Sequence, residues 1–289
     1  MASSAEHAIE AALQQETARR ARRFAKVVGW VALSVAVLGY AAVQIGLNPA
    51  AMVRGASHMW DFLTRMFPPE LSYVRLLGDA TIETVQIAVW GTLLAVLFSI
   101  PLSLLAARNT TPHLPLPPFK RHVWERLGLH LSVFYVTRLF LNALRGINEL
   151  IFALIFVTAV GLGPFAGVLA IACHATGMLA KFCGEEMEGV DRGQVEALEA
   201  TGASKMQVIL FGVIPQVIPA FISYSIFRLD VSIRSATVLG LVGAGGLGFS
   251  LIKTMKLFKY HQTATCILVI FVLVWVSDWI CSKWRAKVI

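Results

Sequence analysis

Arg228, Asp230 and Arg234 stand within one apolar run, Val213–Leu241, and Arg138, Arg145 and Glu149 within another, Val133–Val160. Charge in such surroundings is costly. On the membrane-insertion scale a central Arg, Lys or Asp costs roughly 2.5–3.5 kcal/mol, so three uncompensated charges would cost about 8–10 kcal/mol. Such residues persist where they pair or face a water-filled cavity. Helical spacing offers two pairings, Asp230 with Arg234 and Arg145 with Glu149, each four residues apart. Arg228 has no such partner in its own helix. The excess of guanidinium over carboxylate suits an anion with an oxyanion head, because Arg presents a planar fork of donors. Interhelical ion pairs that merely hold helices together would use the same residues.

Other chemistries are poorly furnished. Gly243, Gly245 and Gly248 in "VGAGGLG" fit G-x-G-x-x-G. A dinucleotide fingerprint follows a strand, however, and these glycines follow an apolar span, so they read as a turn with close packing. The dipeptide Gly-Lys does not occur, which excludes a Walker A phosphate loop. Any ATP-driven work must come from a partner. His174, alone in "ACHATG", reads as a hydrogen-bonded interior residue. No His, Cys and carboxylate spacing completes a metal set, and no cofactor is expected. Cys173, Cys183, Cys266 and Cys281 form no C-x-x-C pair and read as buried thiols. No nucleophile–base pair supports an intramembrane enzyme.

The elements that must position these charges are membrane spans. Of 289 residues, 57% are hydrophobic and 15% charged, against about a quarter charged in a soluble domain. A span needs about 20 apolar residues. Six stretches qualify: Val27–Leu47, Thr84–Ala107, Val133–Val160, Phe165–Cys183, Val213–Leu241 and Thr263–Ile280. The fold class is therefore an all-α membrane protein with six transmembrane helices. The first run is too long for the core of a secretory signal, and the residues before it are not apolar.

Residues 1–26 form a basic arm, expected to be cytoplasmic, ending in "ETARRARRFAK". Basic residues also lie between spans two and three (Arg108, Lys120, Arg121, Arg126) and after span six (Lys283, Arg285, Lys287). By the positive-inside rule these segments share one side, so both termini are expected in the cytoplasm. Lys253, Lys256 and Lys259 dissent, falling in the outward loop between spans five and six. The net charge of +8 thus reflects topology rather than a nucleic-acid partner. Residues 48–83 read as an outward loop with a short interfacial helix around Met59–Phe67. Residues 108–130 are proline-rich, and Pro112, Pro115, Pro117 and Pro118 forbid a continuous helix.

One polar interlude separates spans four and five: "EALEATGASKMQVILFGVIPQ", residues 196–216. Asp191–Thr201 has helical character, Gly202 permits a turn, and Ser204 can cap a new helix that runs into Pro215. This interlude resembles the EAA loop of binding-protein-dependent ABC importers, a pattern of EAA, three residues, Gly, nine residues, Ile-x-Leu-Pro. Glu196, Ala197, Gly202 and Pro215 match in register, while Leu198, Gly212 and Ile214 replace Ala, Ile and Leu. Together with "VQIAVWGTLLAVLFSIPLSLLAARN", "RGINELIFALIFVTAVGLGPFAGVLA" and "VSIRSATVLGLVGAGGLG", it makes the chain resemble the phosphonate-transport permeases over about residues 80–282.

The resemblance implies the type I ABC importer permease (MetI-like) architecture in a bacterial cytoplasmic (inner) membrane. It implies a homodimer, cytoplasmic ABC ATPase subunits docked on a coupling loop at 191–212, and an extracytoplasmic binding protein that delivers a phosphonate or phosphite. Residues 27–47 would be an additional first span outside a permease core at 80–282. Glu196, Ala197, Gly202 and Pro215 would carry the ATPase contact, and Arg228, Asp230, Arg234, Arg145 and Glu149 the substrate path. An importer for another small anion is the nearest alternative. An ion-coupled secondary transporter is the alternative from a different class, and no inverted repeat is visible to support it.

Overall fold

The computed structural model describes residues 23–24, 26–47, 49–108 and 129–288. The prolines of the 108–130 segment and most of the basic arm lie outside the described residues. The described residues form helices and turns, with no strand. The chain divides after Thr64 into two compact units.

The first unit holds α1, Lys26–Gln44, which takes the place expected for the first span. It has 19 residues, about 28 Å at the helical rise and close to the thickness of a hydrocarbon core. None of its residues is buried within the chain, as suits a helix whose solvent is lipid. Next comes α2, Pro49–Met66, of 18 residues. Proline is at home in a first helical turn, and Pro68-Pro69 prevents continuation at the other end. The helix is twice the length expected around Met59–Phe67, because Pro49 opens it far upstream.

In the second unit a 3-10 turn, Leu71–Leu77, leads into α3, Gly78–Ala106. The helix α6, Pro164–Glu188, packs against it. Both present small residues at helical spacing: Ala88, Gly91, Ala95, Ser99 and Ser103 on α3, and Gly167, Ala170, Ala175, Ala180 and Gly184 on α6, all buried. A Cβ on Gly91 would stand 2.7 Å from Ile171 Cγ2, so the backbones approach as small residues allow in membrane helices. The core centred here adds Phe152, Ile233, Ala236 and Leu239.

The expected third span is not one helix. Leu129–Gly146 (α4) and Glu149–Val160 (α5) meet at 89°. Gly146 ends α4, and Asn148 starts α5 as its N-cap, its side chain accepting from Leu150 N at 2.9 Å. Both are terminating signals that sit in plain view in "RGINEL". Among the described residues five helices are long and apolar enough to cross a membrane, and the bent pair makes a sixth if it counts as one span.

After α6 come α7, Arg192–Ala200, and α8, Lys205–Val208. A π-helical turn, Ile209–Val213, then leads into α9, Ile214–Leu239. The glycine-rich turn after α9 leads to α10, Gly246–Lys256, and α11, Tyr260–Val288, completes the unit. The 191–213 segment lies at the end where α6 finishes and α9 begins. The glycine turn lies at the other, where Glu83 Oε2 and Thr84 Oγ1 of α3 accept from Gly246 N and Leu247 N at 3.0 and 2.9 Å. There Gly243, Gly245 and Gly246 all have positive φ, so "VGAGGLG" is a turn with close packing, as expected. Lys253 and Lys256 occupy the last turn of α10, where cations complement the helix dipole. The local helix supplies a reason for their position that the loop reading lacked.

Candidate functional site

The polar interlude folds as helix, turn, helix. Asp191 caps α7, its Oδ1 accepting from Gly193 N at 2.9 Å. Gly202 ends the segment with φ +80°, a backbone region where L side chains are strained. Ser204 and Gln207 then form a capping box: Ser204 N donates to Gln207 Oε1 at 2.8 Å, and Gln207 N donates to Ser204 Oγ at 3.4 Å. This reciprocal pairing satisfies two otherwise orphaned amides at the start of α8.

The base of the segment is closed by Gln216, for which sequence reasoning gave no role. Gln216 Oε1 accepts from Asp191 N at 3.0 Å, and its Nε2 donates to Gly212 O at 2.7 Å. The two ends of the loop are thereby tied together. Inside, a Cβ at position 212 would stand 2.9 Å from Leu198 Cδ1. A cleft of about 250 Å³ opens beside α7, lined by Arg192, Glu196, Glu199 and Lys205 over Val195 and Val208. Glu196, Ala197, Gly202 and Pro215 are all exposed. They are therefore available to a partner, and only Glu196 faces the cleft.

The charged residues of the spans fall into separate groups. Arg228 is buried at 2% exposure. Its NH2 donates to Glu149 Oε2 at 3.0 Å, and Ser235 Oγ donates to Glu149 Oε1. The expected Arg145–Glu149 pairing is replaced by this one, because the chain turns by 89° between the two residues. Glu149 therefore points from the first turn of α5 to α9, and Arg228 finds between helices the partner it lacks within its own. Arg145 is exposed and makes no ion pair among the described residues.

Asp230 and Arg234 do pair, Oδ2 to NH2 at 3.5 Å, and Ser277 Oγ of α11 donates to Asp230 Oδ1 at 3.3 Å. Asp230 is buried, while the Arg234 side chain is 57% exposed. At about 100° per residue, Arg228 and Asp230 point to opposite sides of α9. Arg228 thus faces α5 and α6, and the Asp230–Arg234 pair faces α11. Ser235 was legible in principle, since it lies seven residues after Arg228 and so on the same helical face. Ser277 carries no such signal.

A further cluster joins three helices near the polar interlude. Arg138 NH2 meets Glu188 Oε2 at 2.9 Å, and its Nε donates to Ala106 O at 3.1 Å. Glu188 Oε1 accepts from Arg108 N at 2.8 Å. Arg138 therefore caps the carbonyl end of α3 and fastens it to α4 and α6. The third charge of the Val133–Val160 run thus has partners on two other helices. His174 Nδ1 lies 3.0 Å from Ile147 O at the α4–α5 break, so the residue is hydrogen-bonded as expected but half-buried rather than interior. The four cysteines are free thiols, three of them buried. No group of metal ligands occurs among the described residues.

Comparison with known proteins accords with this arrangement. The sequence profile described as "Binding-protein-dependent transport system inner membrane component" matches residues 128–282. The chain is 37% identical over 280 residues to the putative phosphite transport system permease protein HtxC of Stutzerimonas stutzeri, covering 97% of this chain and 92% of that one. It is 39% identical over 252 residues to the phosphite transport system permease protein PtxC of the same organism, covering 87% and 86%. Among solved structures, the MetNI methionine ABC transporter in inward facing conformations superposes with a TM-score of 0.58 at 19% identity, covering 76% of this chain and 99% of that one. That likeness establishes the fold.

Proposed function

This chain belongs to the family of binding-protein-dependent transport system inner membrane components, and from that premise we propose that its cargo is a phosphonate or phosphite. It is a multi-pass, all-helical translocation subunit, the permease of an ATP-driven importer, rather than an enzyme. In our reading it works as two copies in the cytoplasmic membrane, with both termini in the cytoplasm. An extracytoplasmic binding protein supplies the cargo, and a pair of ABC ATPases docks on the coupling loop at 191–212. Residues 1–26 serve as the basic arm and 27–47 as an additional span, with the permease core at 80–282.

The observation that carries the reading is the 191–216 segment. It is closed at its base by Gln216, folded around a left-handed glycine and capped at each helix start, so it can move as one body. Its exposed Glu196, Ala197, Gly202 and Pro215 form the ATPase contact. ATP binding draws the ATPases together, the segment follows, and the helices attached at either end, α6 and α9, tilt with it. Such a rigid-body change alternates access to the passage between the two copies. Arg145, Glu149, Arg228, Asp230 and Arg234 provide its polar groups. The cargo class is supported by the excess of guanidinium and by the similarity to phosphite permeases.

The test uses a bacterial host without phosphonate or phosphite uptake of its own. Labelled phosphite or methylphosphonate should accumulate when the chain is expressed with its ATPase and binding protein, and not when either is omitted. Accumulation with the chain alone would favour an ion-coupled transporter. Accumulation of sulfate in place of both phosphorus anions would assign a different cargo.

A further inference from the structure

The buried guanidinium of Arg228 is under-used. Its side chain is 3% exposed. One terminal nitrogen donates to Glu149 Oε2 at 3.0 Å, the other reaches only the Met178 thioether at 3.7 Å, and Nε meets no acceptor. A guanidinium has five N–H donors, and a buried donor without an acceptor is destabilising. Glu149 is the outer member of the pair, with a side chain 21% exposed. It stands where the span is broken, beside the exposed residues Arg145 to Asn148. Irregular backbone at membrane depth is tolerated where it is buried in protein or lines a water-filled cavity, and within this chain the break is left uncovered.

We propose that Glu149 is a resident stand-in for the cargo. Its carboxylate neutralises Arg228 while the passage is empty, and a tetrahedral phosphorus oxyanion entering at the α4–α5 break displaces it. The incoming group takes the Arg228 fork and the Ser235 hydroxyl from Glu149, and its third oxygen offers an acceptor to the orphaned Nε. The freed carboxylate has an alternative partner in Arg145, four residues back along the chain and without an ion pair among the described residues. Exchange of one anion for another never leaves Arg228 bare. It also keeps net affinity low, since cargo gains the arginine only by evicting a carboxylate, and the carboxylate returns to expel it. The inference rests on the import reading and adds to it a specific site and a means of release.

A merely structural clamp between α5 and α9 makes a different forecast, so the two can be separated. The full chain, assembled with its ATPase in lipid nanodiscs, is unfolded thermally in methylphosphonate or phosphite, with chloride at matched ionic strength as the reference. Glu149→Gln keeps the shape and one acceptor oxygen for Arg228, leaves Ser235 to accept from the amide instead of donating, and removes the competing charge. Exchange predicts that the anion concentration giving a fixed rise in unfolding temperature is at least about tenfold lower for Glu149→Gln than for the wild type, since a ligand that binds only the folded state stabilises it by RT ln(1 + [L]/Kd). A clamp predicts a variant of lower stability whose response to either anion equals that of the wild type, and that result would overturn the proposal. If Glu149→Gln does not assemble, Glu149→Asp retains the charge but shortens its reach and should respond at an intermediate concentration. A response of Glu149→Asp identical to wild type would also overturn it. Uptake by the wild-type complex, measured alongside, separates the failures. No uptake of either anion refutes the import reading and the exchange together, whereas normal uptake with equal anion responses refutes the exchange alone.

Discussion

Leu198 fills the space that a side chain at position 212 would need: its Cδ1 lies 2.9 Å from the place a Cβ on Gly212 would take. Leu198 and Gly212 are the two largest departures from the EAA pattern, one gaining bulk where the pattern has Ala and the other losing it where the pattern has Ile. The contact makes them a single exchange of volume across the loop. A larger residue at 212 would need the volume that Leu198 occupies.

The pair should therefore behave as a unit under mutation. Gly212→Ala is expected to be mild, since the tip of Leu198 can rotate away. Gly212→Ile overpacks the loop and should cost about 1–3 kcal/mol. Combining it with Leu198→Ala should restore most of the loss, with a coupling of about 0.5–3 kcal/mol in a double-mutant cycle. Stimulated ATPase activity of the assembled complex is the readout. Strict additivity would show that the contact has no energetic role.

At Gly202 the constraint is on the backbone rather than on space. The residue is exposed, no atom lies within 4 Å of a Cβ built there, and φ is +80°. Gly202→Val should abolish uptake while membrane insertion and yield stay normal. Gly202→Asn should retain a measurable fraction, because Asn tolerates the left-handed region far better than a β-branched residue. Equal activity in the two variants would argue that the turn does not limit coupling.

For Arg228 and Glu149, stability and transport should come apart. Removing only the arginine, as Arg228→Met, leaves a carboxylate stranded between helices. Loss of one partner of a buried pair costs about 3–5 kcal/mol, and the partial exposure of Glu149 places the expected loss toward the lower end. Arg228→Met combined with Glu149→Leu should recover assembly to near the wild-type level, because a well-packed apolar replacement of a buried pair is often neutral. Uptake should remain absent in the double variant. Recovery of uptake along with assembly would reduce both residues to helix braces.

Orientation is tested by labelling. A cysteine at Lys256 should react with a membrane-impermeant reagent added outside intact cells, and one at Lys287 only after the membrane is opened. Both side chains are exposed, so accessibility within the protein does not limit either reaction. The native thiols at Cys173, Cys183, Cys266 and Cys281 are first replaced by Ala or Ser. The opposite pattern would invert the assignment of the two ends.

Much of the fold was legible in composition alone. Runs of twenty or so apolar residues can hardly be anything but spans, and five of the six expected stretches are continuous helices. The loop was legible because its signals are local: a capping aspartate, a glycine, and a serine three residues before Gln207. The α4–α5 break was also local, in Gly146 and Asn148, but the hydrophobicity on either side masked it. What could not be read was pairing between helices. Arg228 meets Glu149 across 79 residues of sequence and Asp230 meets Ser277 across 47, and helical spacing ranks only partners within one helix. The short-range rule therefore chose Arg145 for Glu149, and the bend gave it Arg228.

On the proposed function, ATP hydrolysis outside this chain drives a phosphorus oxyanion through it by way of the 191–216 segment. The most direct measurement is uptake into proteoliposomes that hold two copies of the chain, its ATPase pair and external binding protein, with labelled phosphite or methylphosphonate outside and ATP supplied to the ATPase face. Uptake should require ATP, stop when ATP is replaced by a non-hydrolysable analogue, and be lost in Gly202→Val although ATP still binds. Uptake that proceeds without ATP, or that survives Gly202→Val at the wild-type rate, would contradict the proposed function.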